Sequence, residues 1–318
     1  MTSVELMSAV LLDGVIGDPR WLPHPVRIMG RAVSWCDDHI RIICHAPWSL
    51  RVGGVCLALL IPTVTFFAGR LLIEQAGRLS DPLGHAASIV LAFTTLAGRD
   101  LLDHVRAIRR ELRSGNLPKA RQAVAKIVGR DTETLPEPEI IRATVETIAE
   151  SACDGLIAPL VYLTLGGAPL ALAYKAVNTL DSMIGHRDER YVHVGWASAR
   201  FDDVANWIPA RITAALVAAA AGLVTGQAQR TVESLRVCRR DGAKHPSPNS
   251  GRPEAAMAGA MDVQLGGVNY YEGRREERPV IGDGTRTLER RDIDSAGRIL
   301  VVGYGLGCLL ALAVLWMS

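Results

Sequence analysis

The sequence predicts an all-α, polytopic integral membrane protein with large polar cytoplasmic loops, and three observations carry that prediction. Nearly half of the 318 residues are apolar (49%) against 21% charged, and the mean hydropathy is positive. The apolar residues gather into runs instead of recurring at helix or strand period along the whole chain. The longest runs approach 20 residues, enough at about 1.5 Å of rise per residue to cross a hydrocarbon layer about 30 Å thick. An ordinary soluble globule, a disordered chain and a coiled coil are excluded. The net charge of +2 and the 5% aromatic content leave neither the field nor the stacking surface of a nucleic-acid binder, so no nucleic acid is expected as a partner. Six cysteines without a C-x-x-C pair read as free thiols.

The expected spans follow in chain order. The first apolar stretch, 4–17, is short for a span, holds Asp13 and lacks the basic start of a signal peptide. Residues 52–69 are uncharged, with Pro62 inside and Arg70 at the end. Residues 86–102 form a second span, with Arg99 and Asp100 cutting into its end. The run 156–174 is long enough, but Pro159, Gly166, Gly167 and Pro169 break it, as in a re-entrant or interrupted helix lining a polar cavity. Residues 207–226 carry Arg211 one turn inside their start, and 299–317 are free of charge. Alternation of these segments, the first included, sets 27 basic residues in the loops of one side against 6 on the other. The positive-inside rule then makes 18–51, 103–155 and 226–298 cytoplasmic.

Both long polar loops have a reading of their own. In 103–155, Leu101, Leu102, Val105, Ile108 and Leu112 recur at helix spacing and Gly115-Asn116-Leu117-Pro118 breaks the pattern. A second amphipathic stretch runs to Val128 and a third helix from Glu139 to about Ala152. Residues 226–298 are rich in Gly, Pro and Arg with little periodicity, and read as irregular or as ordered by a ligand.

Three groups of residues could carry chemistry. Glu139, Glu146, Glu150 and Asp154 share one broad helix face with Arg142 beside them. That is either a solvated acidic face or a divalent-cation site, since hard Mg²⁺ takes carboxylate oxygens. Lys175, Asn178, Asp181 and Ser182 also share a face, directly after an apolar run, where clustered polar groups are costly unless used. Lys244-His245-Pro246-Ser247-Pro248-Asn249 is a stiff polar turn before a helix that starts near Glu254, a surface turn by default and an anion site by its chemistry. No P-loop sequence is present.

Read in order, the motifs resemble a known family. They are Gly17-Asp18-Pro19-Arg20-x-x-Pro23-His24-Pro25-Val26, Gly129-Arg130-Asp131-Thr132, Glu146-x-x-x-Glu150-x-x-x-Asp154-Gly155, Tyr174-Lys175-Ala176-x-Asn178-Thr179-Leu180-Asp181-Ser182-Met183 and Lys244-His245-Pro246-Ser247-Pro248-Asn249. Gly266-Gly267-x-Asn269-Tyr270-Tyr271 and Arg278-Pro279-x-Ile281-Gly282 complete the set. The chain resembles the adenosylcobinamide-phosphate synthase family of cobalamin biosynthesis, also described as cobyric acid aminopropanol ligases. Ser151-Ala152-Cys153 stands where the family carries a more polar stretch.

The resemblance implies ATP-dependent amide formation between adenosylcobyric acid and (R)-1-amino-2-propanol or its O-phosphate, with ATP and Mg²⁺ as cofactors. It implies a cell (inner) membrane location with the site open to the cytoplasm. The implied partners are the corrinoid, the aminopropanol, membrane lipid and, as further candidates, other enzymes of the pathway and copies of the chain itself. On that reading Glu146, Glu150 and Asp154 hold Mg²⁺. Arg20, Arg130, Asn178, Lys244, Ser247 and Asn249 bind substrate or phosphate, and Lys175 and Asp181 act in catalysis. His24 or His245 takes a proton from the incoming ammonium. A transporter lined by Asp13, Arg211 and the broken run, or a noncatalytic scaffold, are the rival readings. The first leaves the long polar loops unexplained.

Overall fold

The computed structural model describes residues 1–19, 24–186, 188–284 and 286–317. In chain order the elements are α1 (Ser3–Ile16), α2 (Pro25–Ile43), α3 (Pro47–Leu79), α4 (Asp81–Phe93), α5 (Gly98–Arg113), α6 (Leu117–Val124) and α7 (Glu137–Ser151). A π-helical turn (Ala152–Ile157) leads into α8 (Ala158–Ile184), followed by α9 (Trp196–Ala205), α10 (Trp207–Thr225), α11 (Ala228–Asp241) and α12 (Gly251–Met261). The hairpin strands β1 (Leu265–Tyr271) and β2 (Arg274–Ile281) and the last helix, α13 (Arg290–Met317), end the chain. Among the described residues four helices are long and apolar enough to cross a membrane: Pro47–Leu79, Glu137–Ile184, Trp207–Thr225 and Arg290–Met317. The chain is a helical membrane protein, as its composition predicts.

The chain divides into two compact units. The first holds residues 1–97, 158–206 and the C-terminal residues from 310. Its centre is α3, which packs on α8, α4, α9 and α2. Met29 and Val33 of α2, Leu57 and Ile61 of α3, and Leu172, Ala176 and Leu180 of α8 form its buried core. Pro47 starts α3 where a missing N–H costs nothing, and the Ser80 hydroxyl that follows its end caps α4 by accepting from the Leu83 N–H at 3.4 Å.

Within α8 the backbone leaves helical geometry at Gly166 (φ −148°, ψ 15°) and Gly167 (φ 68°, ψ −166°). Tyr162 and Tyr174 lie on either side of this break and stack with ring centroids 4.8 Å apart. In an unbroken helix twelve residues would separate them by about 18 Å along the axis. The chain therefore folds back on itself, and the expected interrupted helix at 156–174 is a helical hairpin turned at the glycine pair.

The expected span at 86–102 is corrected. Its residues fall into α4, which ends at Phe93, and α5, which starts at Gly98. The Thr94 and Thr95 hydroxyls donate back to the Leu91 and Ala92 carbonyls at 2.7 Å each, closing the helix. At 13 residues α4 covers about 20 Å, too little for the hydrocarbon layer.

The second unit holds residues 98–157 and 207–309. The apolar positions of α5 that recur at helix spacing are buried as expected: Leu101, Val105, Ile108 and Leu112 join one core with Ile140, Ile141 and Ile148 of α7. α10, α11 and α12 pack on one another, and the small residues Ala255 to Ala260 let α12 sit fully enclosed. The stretch 226–298, expected to be irregular or ordered by a ligand, is instead two helices, an antiparallel hairpin and the start of α13. Its order comes from polar ties that periodicity does not display. The Ser234 hydroxyl donates to the Ala256 carbonyl at 2.7 Å, and Asp241 accepts from the Gly282 N–H at 2.9 Å.

Candidate functional site

The second unit concentrates its buried charge where α7 meets β1. Arg142 lies on α7 four residues before Glu146, and its Nη1 donates to Glu146 Oε1 at 2.8 Å. Its Nε and Nη2 both donate to Glu139 Oε2, at 2.9 and 2.5 Å. Arg130, in the loop before α7, donates through Nη2 to Glu146 Oε2 and through Nη1 to Asn269 Oδ1 at 2.7 Å. Asn269 Oδ1 also accepts from Arg142 Nη2 at 2.8 Å, and the Gly266 N–H donates to Glu146 Oε1 at 2.8 Å. The side chains of Arg130, Arg142 and Glu146 are 7–8% exposed, so the pairs are desolvated. β1 is thereby tied to α7 by a network in which each carboxylate oxygen of Glu146 already meets a guanidinium.

The expected magnesium ligands Glu146, Glu150 and Asp154 are each placed differently. Among the described residues no three His, Cys, Asp or Glu side chains stand where they could hold a metal ion. Glu146 is spent on arginines and Glu150 accepts from the Ser250 hydroxyl at 3.2 Å. Asp154 lies in the π-helical turn, whose wider winding breaks the 3.6-residue period that aligned it with Glu146 and Glu150 in the sequence.

The second part of the site is the turn between α11 and α12. His245 Nδ1 accepts the Ser247 N–H at 3.0 Å, because Pro246 between them has no N–H to offer. A neutral ring then carries its proton on Nε2, which is buried, has no hydrogen-bond partner among the described residues and stands 3.9 Å from Glu254 Oε1. Burial, with the charge of Arg278 added, pulls the His245 pKa down to about 4. Burial and the nearby charges of Glu146 and Glu150 push the Glu254 carboxyl well above the usual carboxylate range. Lys244 points its ammonium to Asp241 Oδ1 at 2.7 Å, and the Ser247 hydroxyl accepts from the Asn249 and Ser250 N–H groups at 3.3 Å. These two residues shape the turn. Arg278 lies opposite Gly267 in the hairpin and reaches over the Tyr271 ring at 5.4 Å.

The first unit has a cluster of its own. Tyr174 donates to Asn206 Oδ1 at 2.9 Å, and Asn206 Nδ2 donates to both oxygens of Asp202, at 3.1 and 3.0 Å. Asn178 Nδ2 donates to Asp202 Oδ1 at 3.4 Å, and Lys175 Nζ to Asn178 Oδ1 at 3.5 Å. The shared face of Lys175 and Asn178 is thus real and is completed by α9. Asp181 lies one turn further on, its carbonyl accepting from the Gly185 N–H at 2.7 Å. His24 caps α2, with Nδ1 accepting from the Val26 N–H at 3.3 Å. Arg20 lies outside the described residues.

Arg142, Glu254, Asn269 and Arg278 carry much of the second unit's polar chemistry without having been singled out for a role. Their signal was indirect: Asn269 and Arg278 lie in motifs that run in family order, but nothing in their spacing reveals that a hairpin brings them to α7.

These arrangements sit on motifs spanning the chain, and comparison with known proteins decides the family. A family profile described as CobD/Cbib protein matches residues 6–300. The chain belongs to the CobD/CbiB family. A cobalamin biosynthesis protein CobD of Geobacter metallireducens is 47% identical over 313 residues, covering 98% of this chain and 96% of that one. A CobD of Yersinia enterocolitica is 43% identical, over 98% and 96%. A cobalamin biosynthesis protein CbiB of Salmonella arizonae is 42% identical, over 100% and 99%. No solved structure matches the chain. This CobD/CbiB member therefore has its place in cobalamin biosynthesis, and its buried arginine network is the scaffold on which that role has to be read.

Proposed function

We propose that this CobD/CbiB protein is an acid–amine ligase that uses ATP to join the free carboxylate of adenosylcobyric acid to (R)-1-amino-2-propanol or its O-phosphate. The observation that supports this reading is the clustering of Arg130, Arg142 and Arg278 with buried N–H donors around β1. A carboxylate is a poor acyl donor. Its oxygen attacks the γ-phosphorus of ATP, ADP leaves, and the acyl phosphate is open to the amine, whose attack on the carbonyl carbon expels phosphate. Fixed cations and N–H dipoles stabilise the charge that develops on phosphoryl oxygens in both steps.

Among the described residues the carboxylates do not assemble a magnesium cage, so Mg²⁺ in this proposal is the counter-ion that the nucleotide brings. His245, with Nδ1 occupied by a backbone N–H, serves as an Nε2–H donor. The ammonium's proton passes to an exposed carboxylate, for which Glu150 is the candidate. Lys175 and Asp181 are proposed as catalytic residues, as the resemblance implies. Because ATP is cytoplasmic, the protein is proposed to lie in the inner membrane as a multi-pass chain with this chemistry open to the cytoplasm.

The test is detergent-solubilised protein given adenosylcobyric acid, Mg²⁺, ATP and either amine, with corrinoid mass as readout. Gain of one amine less one water, dependent on ATP, is the expected result. Absence of product with both amines from folded protein sinks the proposal in favour of a scaffold.

A further inference from the structure

Among the described residues, the second unit's charged network leaves two buried side-chain N–H groups and one guanidinium over as donors. Asn269 Oδ1 is held by two guanidiniums, at 2.7 and 2.8 Å, which fixes the amide's orientation, since a flipped amide would set its NH₂ against both. Its Nδ2 is consequently turned away from them, buried, with no acceptor among the described residues. His245 Nε2 is a second buried N–H of the same kind. Arg278 is the third group. Its Nε reaches only an exposed carboxylate, Glu276, at 3.4 Å, and its Nη groups have no hydrogen-bond partner among the described residues. The charges of Arg130 and Arg142 are matched by Glu146 and Glu139, whereas that of Arg278 meets a pair too exposed to neutralise it.

Open space lies along β1 at Gly267 and Asn269, and the charge of Arg278 reaches His245. Gly267 faces Arg278 across the hairpin at φ 88°, and a Cβ built there would meet no atom within 4 Å. Gly267, Asn269 and Arg142 also line a cleft of roughly 770 Å³. Buried donors without acceptors cost about 1–3 kcal/mol each unless a ligand supplies the oxygen. A metal ion would need the opposite, a ring of acceptors.

We propose that Arg278, Asn269 Nδ2 and His245 Nε2 form a cradle for a phosphoryl group. The group comes from ATP or from aminopropanol O-phosphate, a source that rests on the ligase reading above. Its oxygens take the two unpartnered N–H groups and the Arg278 guanidinium, and Arg130 and Arg142 hold Asn269 in the orientation that makes this work.

Inorganic phosphate binding to the detergent-solubilised full chain, measured by calorimetry at fixed ionic strength, tests the cradle. Asn269→Asp keeps both guanidinium contacts, so the fold survives, but replaces the donor with an acceptor. Arg278→Gln removes the unmatched charge. Each should weaken phosphate by at least about tenfold, the range for losing a charge-assisted bond. Unchanged affinity in both variants, no saturable phosphate binding by the parent protein, or acetate competing as well as phosphate overturns the proposal. Tighter Mn²⁺ binding than phosphate binding by the parent protein does so as well. Displacement of phosphate by ATP or by the O-phosphate amine identifies the source, and displacement by neither overturns the assignment. An amide product from the parent protein, with phosphate binding unchanged in the variants, discards the cradle and keeps the ligation. Phosphate binding lost in the variants, with no amide product from the parent protein, does the reverse.

Discussion

Glu146 and Glu150 are one helical turn apart and have opposite fates. Glu146 is enclosed with two arginines, so Glu146→Gln leaves the buried Arg130 without a countercharge and Arg142 with Glu139 alone. It should destabilise the second unit by about 3–5 kcal/mol, read as a lowered unfolding temperature in detergent. Glu150 is exposed, so Glu150→Gln should leave unfolding unchanged while amide formation is lost. Equal unfolding temperatures for the two variants would contradict the network. Titration separates two further residues. His245 is kept neutral in the fold, with a pKa near 4 against 6.5 ordinarily, so the unfolded chain binds the extra proton between those values. Stability from His245 is full above about pH 6.5 and falls as pH drops toward 4, by roughly 3 kcal/mol in all, and His245→Gln should flatten that limb. Asp241 acts lower. Arg240, Lys244 and the Gly282 N–H hold its carboxyl below the usual range. Its contribution is therefore present above about pH 4 and lost only as pH falls further. At this scale the sequence singled out Arg130, Glu146 and His245, which the fold places in or beside the charged network. It could not show which charges neutralise which, because the partners come from a hairpin more than a hundred residues downstream.

Local pattern served the elements well wherever one face is buried at a regular period. Leu101, Val105, Ile108 and Leu112 are as legible in the chain as they are enclosed in α5. It failed where hydropathy continues across a backbone break: the run 86–102 reads as unbroken, yet two threonine hydroxyls turning back on their own helix end it. It failed again over 226–298, where Asp241 and Ser234 impose order through contacts that have no periodicity. In α8 the signal was explicit, since two glycines next to Pro169 mark a place no continuous helix tolerates. Gly167 has φ 68° and ψ −166°, a region essentially closed to residues with a Cβ, while the space around it is open, its nearest neighbour being Met1 Cβ at 3.6 Å. Gly167→Ala should therefore cost about 1–3 kcal/mol through backbone strain alone. The variant should unfold at lower temperature and separate Tyr162 from Tyr174, visible as altered tyrosine fluorescence. An unchanged melting profile would mean the reversal does not depend on that glycine.

At the scale of the molecule the question is what covers the apolar surface that the protein leaves bare. On α3, Leu59, Leu60, Val64, Phe67, Leu71 and Leu72 are each half exposed or more, whereas Leu57 and Ile61 are buried among α2 and α8. Water would not tolerate that outward face on a helix 33 residues long, and lipid explains it. The two faces predict different failures. Leu60→Arg sets a charge at mid-helix where lipid should lie, at a cost of about 3 kcal/mol for insertion, with little change in packing. The chain should then be depleted from the membrane fraction. Leu57→Ala removes a buried side chain at a cost of about 2–5 kcal/mol in packing but keeps the helix apolar, so the chain should insert normally and unfold early in detergent. Membrane fractionation and detergent melting, run on both variants, separate insertion from folding. Normal insertion of the Leu60→Arg chain would place that face of α3 against water or protein and remove it from the membrane, whereas the expected crossed pattern assigns the face to lipid and the Leu57 side to the core.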